Sequence, residues 1–285
     1  SETSAPAIET ASLASLGDDE LEAMPSRHQA TVFGYACDHT PSYMPVPVTI
    51  AHDLARGLDE ARRAGALPWL SPDNKVQVAV EFTDHRPVRI HSVILTLTGD
   101  AATAPAERDL KGVLEEAALA KAFEGSTLSP DKKTRLLVNP GGPLIPGGPR
   151  AHSGLTGRKT AIDSYGEYAR HGGAALSGKD PWRVDRLGAY AARHAAKNVV
   201  AAGLARRCEV ALSYAIGRAT PLSLAVETFG TGTLTDAELG ARLRDAADFR
   251  PAAVARRFDL EAAIADGGFF RPLGVYGHFG RPKLD

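Results

Sequence analysis

The sequence predicts an α+β protein built as two consecutive, similar α+β domains. Strand-like alternation at Val76–Phe82 stands beside helical periodicity at His52–Ala64 and Ala106–Phe123. The same mixture returns later, where a long Ala-rich helical stretch at Val184–Ala202 precedes two strand-like runs. Between the two sets lies Asn139–Gly148, NPGGPLIPGG, whose glycines and prolines mark it as a linker. The domain reading is therefore a mobile N-terminal arm at 1–24, a middle domain at 25–145 and a C-terminal domain at 146–285.

In chain order, Ser1 to Met24 is rich in Ser, Ala, Thr and acids and reads as an arm with a short helix at Asp18–Ala23. The start SETSAPAIET, without Met, suggests a processed, tagged or cleaved terminus. Leu54, Leu58 and Ala61 share one face of the helix at His52–Ala64, which Gly65 and the following prolines end. Val76, Val78, Val80 and Phe82 line one face of a strand; a turn at Asp84–Pro87 leads into a second at Val88–Thr98. The Ala106–Phe123 helix and a short strand at Arg135–Val138 complete this domain. After the linker, Lys159–Tyr165 reads as a strand and Val184–Ala202 as a helix. Cys208–Ile216 and Leu222–Phe229 read as an antiparallel strand pair. Leu234–Ala246, capped by Thr235, and Pro251–Ala265 read as two last helices.

Composition narrows the function classes. At 285 residues the chain can hold two real cores. A net charge of −1 gives no global field for nucleic acid or an anionic membrane, so basic residues must act locally. No apolar run is long enough to span a bilayer, and no secretory leader is visible, so a cytoplasmic location is expected. Cys37 and Cys208 have no metal-type spacing and read as free thiols of a reducing compartment.

Chemistry concentrates in Gly154–Arg193, GLTGRKTAIDSYGEYARHGGAALSGKDPWRVDRLGAYAAR. Arg158 and Lys159 follow a GLTG turn, and Lys179 sits in a Gly-Lys-Asp-Pro turn beside Ser177. Arg183 and Asp185 open the long helix. Glycine turns, a helix N-terminus and clustered cations are what a polyphosphate needs, and Asp185 among them is a candidate magnesium ligand. The bland alternatives are a solvated basic loop and an acid that only balances the helix dipole.

This stretch resembles the C-terminal part of S-adenosylmethionine synthetase, whose pattern runs GGPxGDxGLTGRKxxxDTYGG and then HGGGAFSGKDPxKVDRSAAYAAR. FGYACDHTPSYMP at Phe33–Pro45, LPWLSPDNKVQV at Leu67–Val78, SYAIG at Ser213–Gly217 and YGHFGR at Tyr276–Arg281 are similar to further motifs of that family, in the same order. The resemblance implies three similar α+β domains that pair into a dimer with interfacial active sites. This chain would supply the middle and C-terminal ones. It also implies the chemistry: methionine sulfur attacks C5′ of ATP and expels triphosphate, which is then hydrolysed. Lys75, Arg158, Lys159 and Lys179 would hold the triphosphate. Asp73 would face the ribose, and Ser177 and Arg183 would assist binding. Asp185 would take magnesium, with potassium a second candidate cation. Arg183 stands where the family has Lys.

Other family positions differ. His28 stands for the Asp of GAGDQG, His152 for the Asp of GGPxGDxG and His39 for the Glu of FGYATDET. Leu144 and Pro143 replace the aromatic and the Arg of GRFxIGGP, so the adenine shelf loses its ring. The family's HPDK motif belongs to a domain not matched here. The resemblance places the acids at the His28 and His152 positions near the amino-acid substrate, so each of those two changes would remove a charge-assisted hydrogen bond to its ammonium, about 1.5–3 kcal/mol. Two expectations follow from the resemblance. One is a divergent ATP-dependent adenosyltransferase acting on methionine or a methionine-like acceptor, completed as a homo-oligomer or by a chain with the missing domain. The other is a catalytically incomplete partner subunit of a full-length synthetase. Neither involves nucleic acid or a membrane.

Overall fold

The computed structural model describes residues 13–142, 144–148, 151 and 159–281. The chain divides into two compact units, and neither is continuous in sequence. One joins the residues up to Ala36 to Arg170–Gly274; the other joins Cys37–Ala169 to the residues from Val275 on. In the first unit, the short helix α1 (Asp18–Glu22) leads to strand β1 (Ala30–Cys37). Sequence reasoning left β1 unassigned, because Phe33, Tyr35 and Cys37 sit among small residues without a clean polar alternation.

The second unit opens with α2 (Val46–Arg63), which starts well before the expected His52. Pro45 is its N-cap residue and Pro47 lies in its first turn, where a missing N–H costs nothing, so these two prolines start the helix. Strands β2 (Lys75–Thr83) and β3 (Arg86–Thr96) pair antiparallel, with Val76 opposite Leu95 and Val78 opposite Val93. Helix α3 (Glu107–Leu114) runs through a π turn at Glu115–Leu119 into α4 (Ala120–Ala122). Strand β4 (Arg135–Val138) then joins β3 in parallel, giving the order β2-β3-β4. Ile50, Leu54 and Leu58 of α2, Ile90, Val93 and Leu95 of β3, and Leu110 and Leu114 of α3 form one buried core with Leu67 and Trp69. Lys159–Tyr165, expected as a strand, is instead a single helical turn, α5 (Thr160–Asp163). Ser164 Oγ donates to the Thr160 carbonyl at 2.6 Å, a local bond that competes with any sheet pairing of so short a run.

In the first unit, α6 (Val184–Ala201) packs over a sheet of order β1-β5-β6, from β5 (Arg207–Tyr214) and β6 (Ser223–Glu227). β5 and β6 are antiparallel, with Val210 opposite Val226, as expected. The helix meets the sheet closely: a Cβ at Gly34 of β1 would overlap the Ala192 backbone, and one at Gly188 would lie 2.8 Å from the Tyr214 ring. Helix α7 (Asp236–Ala246) begins at Thr235, whose hydroxyl accepts from the Glu238 N–H while the Glu238 carboxylate accepts from the Thr235 N–H. The helix expected over Pro251–Ala265 is broken into α8 (Pro251–Arg257) and α9 (Leu260–Ala265), because Asp259 adopts a left-handed backbone with φ 47°.

Residues 13–24, expected to belong to a mobile arm, pack onto this unit. Leu21 is buried against Ala252 and Ala253, and Arg250 pairs with Asp18 and Glu22. Cys37 and Cys208 are free and buried, and burial pushes the Cys208 thiol up to about 12. Among the described residues, no helix is long and apolar enough to cross a membrane.

Candidate active site

In the first unit the cations gather at the N-terminus of α6. The loop before it turns at Gly173 and Gly178, both with positive φ that a side chain would strain. Asp180 organises the entry to the helix: its carboxylate accepts from the Trp182 N–H at 2.9 Å and its carbonyl from the Arg183 N–H at 3.1 Å. Arg183 is the N-cap residue and Asp185 lies in the first turn, where a negative charge suits the helix dipole. Asp185 Oδ2 sits 3.6 Å from Lys179 Nζ and 3.4 Å from Arg183 Nε. Among the described residues, neither Asp185 Oδ2 nor Arg183 Nε has a hydrogen-bond partner, although both atoms are buried. The charges are paired, but these two buried polar atoms lack hydrogen bonds, a deficit that a bound ligand would fill. Ser177 is half-buried in the same loop.

Arg186 is a buried residue beside this cluster that sequence reasoning passed over. It is 4% exposed, and its Nη1 donates to the Lys179 carbonyl at 2.6 Å. Nε donates to the Tyr190 hydroxyl, and the guanidinium lies 4.6 Å from the centre of the Phe270 ring. Arg186 thus fixes the backbone from which Lys179 projects. Its i+4 spacing to Tyr190 was a readable signal.

The second unit carries the other candidates. Asp73 lies in the loop ahead of β2. Its carbonyl accepts from Thr98 Oγ1 at 2.6 Å and its carboxylate from the Gly148 N–H at 3.3 Å. Lys75 is the first residue of β2 and is exposed; Lys159, just before α5, is exposed as well. Leu144 packs against the core that contains Leu54 and Val93. His39 is buried between the Phe82 and Tyr168 rings, at 5.6 and 5.5 Å, with Nε2 3.3 Å from the His85 carbonyl oxygen. In the first unit, the His28 carbonyl accepts from the Ser26 hydroxyl and the residue is half-buried. Arg158, His152 and Pro143 lie outside the described residues.

No group of three or more His, Cys, Asp or Glu able to hold a metal is found among the described residues. The unsatisfied oxygen of Asp185 nonetheless suits magnesium in one particular form. That ion is commonly held by one or two carboxylates while phosphate oxygens and water supply the rest.

A cationic loop at a helix N-terminus is an arrangement with which anions are compatible. Comparison with known proteins gives the family. Residues 23–144 match the sequence model of the S-adenosylmethionine synthetase central domain, and residues 146–285 that of its C-terminal domain. The chain is 46% identical over 278 residues to the S-adenosylmethionine synthase of Thermosynechococcus vestitus, covering 95% of this chain and 67% of that protein. It is 44% identical to the synthase of Gloeothece citriformis over 95% of this chain and 66% of that protein. It is 47% identical to the synthase of Gloeobacter violaceus over 94% of this chain and 67% of that protein. The chain belongs to the S-adenosylmethionine synthetase family, and it spans about two thirds of the length of the curated relatives it matches.

Proposed function

We propose that this chain binds the triphosphate of ATP and serves an ATP-dependent transfer of adenosine to a sulfur nucleophile, methionine or a methionine-like acceptor. The observation that carries the reading is the Lys179–Asp185–Arg183 cluster at the start of α6, with buried polar atoms left unsatisfied. Sulfur would attack C5′ as the C5′–O bond breaks, and triphosphate would leave with the electron pair. No protein nucleophile is required; catalysis is positioning and stabilisation of a polyanionic leaving group. Lys179 and Arg183 would neutralise phosphate oxygens, with Arg158, Lys159 and Lys75 adding charge and Ser177 a hydroxyl. Asp73 would receive a ribose hydroxyl. Magnesium bound beside Asp185 would offset the charge that develops on the triphosphate. Residues 25–145 and 146–285 would be the two inherited domains, a division that the bounds of the two matched sequence models support.

Isothermal titration with a non-hydrolysable ATP analogue and magnesium tests this reading. Saturable heat that is weakened in Lys179→Met is expected, and a flat titration of the unsubstituted chain overturns it.

A second reading is favoured by the substitutions at His28, His39, Leu144 and His152, and by the packing of His39 between two aromatic rings. Here the chain is a partner subunit that binds a full-length synthetase and does no transfer itself. Co-expression with such a synthetase distinguishes the two. A chain that stays apart from it and leaves its rate unchanged removes this second reading.

A further inference from the structure

Helix α5 has a single turn, closed by the Asp163 N–H donating to the Lys159 carbonyl at 2.9 Å. A helix of that length has no stability of its own, so its geometry must be imposed from outside. Val275–Arg281 is the segment of the second unit that imposes it. The His278 N–H donates to the Asp163 carbonyl at 2.9 Å, and its buried imidazole lies 3.8 Å from the Asp163 carboxylate. Phe279 stacks on Tyr165 with ring centres 5.2 Å apart. Gly277 has φ +77°, and a Cβ there would lie 2.9 Å from both the Ile162 carbonyl oxygen and His52 Cε1. Arg281 closes the segment on itself, donating to the Val275 carbonyl at 2.8 Å.

We propose that Tyr276–Arg281 is a positioning latch in which Gly277 and His278 hold the turn Thr160–Asp163, so that Lys159 at its start presents its ammonium to phosphate. This rests on the phosphate-binding reading above. None of these latch residues needs to touch the ligand. Lys159 is exposed and long, and without a fixed backbone its charge would sample many positions, at a cost in ordering on each binding event.

The test uses the full chain with Gly277→Ala and His278→Asn, each first checked for native circular dichroism. Two quantities are read: amide hydrogen exchange at Asp163, Ser164 and Gly166, and affinity for inorganic triphosphate with magnesium. Both variants are expected to speed exchange at those amides about tenfold while α6 is unchanged, and to weaken triphosphate about tenfold. In a Lys159→Met background the same substitutions should cost less than about twofold more, because a latch acting through Lys159 has nothing left to position. Unchanged exchange at the three amides overturns the latch. Full additivity with Lys159→Met overturns its link to phosphate. A wild-type chain that binds no triphosphate overturns the phosphate reading and the part given to Lys159; exchange then decides alone whether the segment holds the turn.

Discussion

Asp185 Oδ2 lies 3.6 Å from Lys179 Nζ and 3.4 Å from Arg183 Nε, and among the described residues neither Asp185 Oδ2 nor Arg183 Nε makes a hydrogen bond. An arrangement selected for stability alone would close these gaps; one that waits for phosphate oxygens and magnesium would leave them open. Lys179→Met is expected to weaken triphosphate about 10–100-fold, the value of one or two charge-assisted hydrogen bonds. Asp185→Asn should instead abolish the magnesium dependence of binding while retaining part of the affinity. Titration with and without magnesium separates the two outcomes. These three residues were legible in the sequence because they lie within one turn and the helix start that follows. The surroundings of His39 were not legible. Phe82 and Tyr168 reach it from far along the chain, and no local pattern announces such a contact.

At the scale of elements, most of the fold could be read from periodicity: α6, β5, β6 and the capped start of α7 match their expected places closely. The exceptions have separate causes. The Lys159–Tyr165 run was too short for a period to be told apart, and Asp259 breaks Pro251–Ala265 by a backbone conformation that composition does not encode. The contact that fixes α6 is similarly invisible, since Gly34 and Ala192 meet only in the folded state. Gly34→Ala is expected to destabilise the chain by about 1–3 kcal/mol or more, because the new methyl group would have to displace helix backbone. Chemical denaturation measures the loss. Because α6 carries Asp185 in its first turn, triphosphate binding should weaken in the same variant.

For the whole molecule, His52 is one of the groups that bear on the response to acid. Burial, with Arg56 and Arg281 nearby, lowers its pKa from 6.5 to about 4, against a raising bond with the Ile162 backbone. The Asp53 carboxylate, itself pushed up by burial, lies next to it on α2 and pairs with Arg56. The unfolded chain therefore binds a proton that the folded one refuses. Stability from this residue is complete above about pH 6.5 and is lost as pH falls towards about 4, a difference of roughly 3 kcal/mol at most. Urea midpoints followed from about pH 7 to about pH 4.5 should fall in the wild type. In His52→Gln they should fall less over the same range, and parallel curves would refute the assignment.

The interleaving of the two units bears on how the chain is made. β1 is synthesised long before its sheet neighbour β5, which does not exist until Arg207–Tyr214 has been added. Throughout that interval a strand carrying Phe33 and Tyr35 has no native neighbour, a state in which aggregation and chaperone capture compete with folding. The second unit waits longer still, since the residues that grip Asp163 follow the whole of Arg170–Gly274. Neither unit can finish folding until the segment that interrupts it has been made.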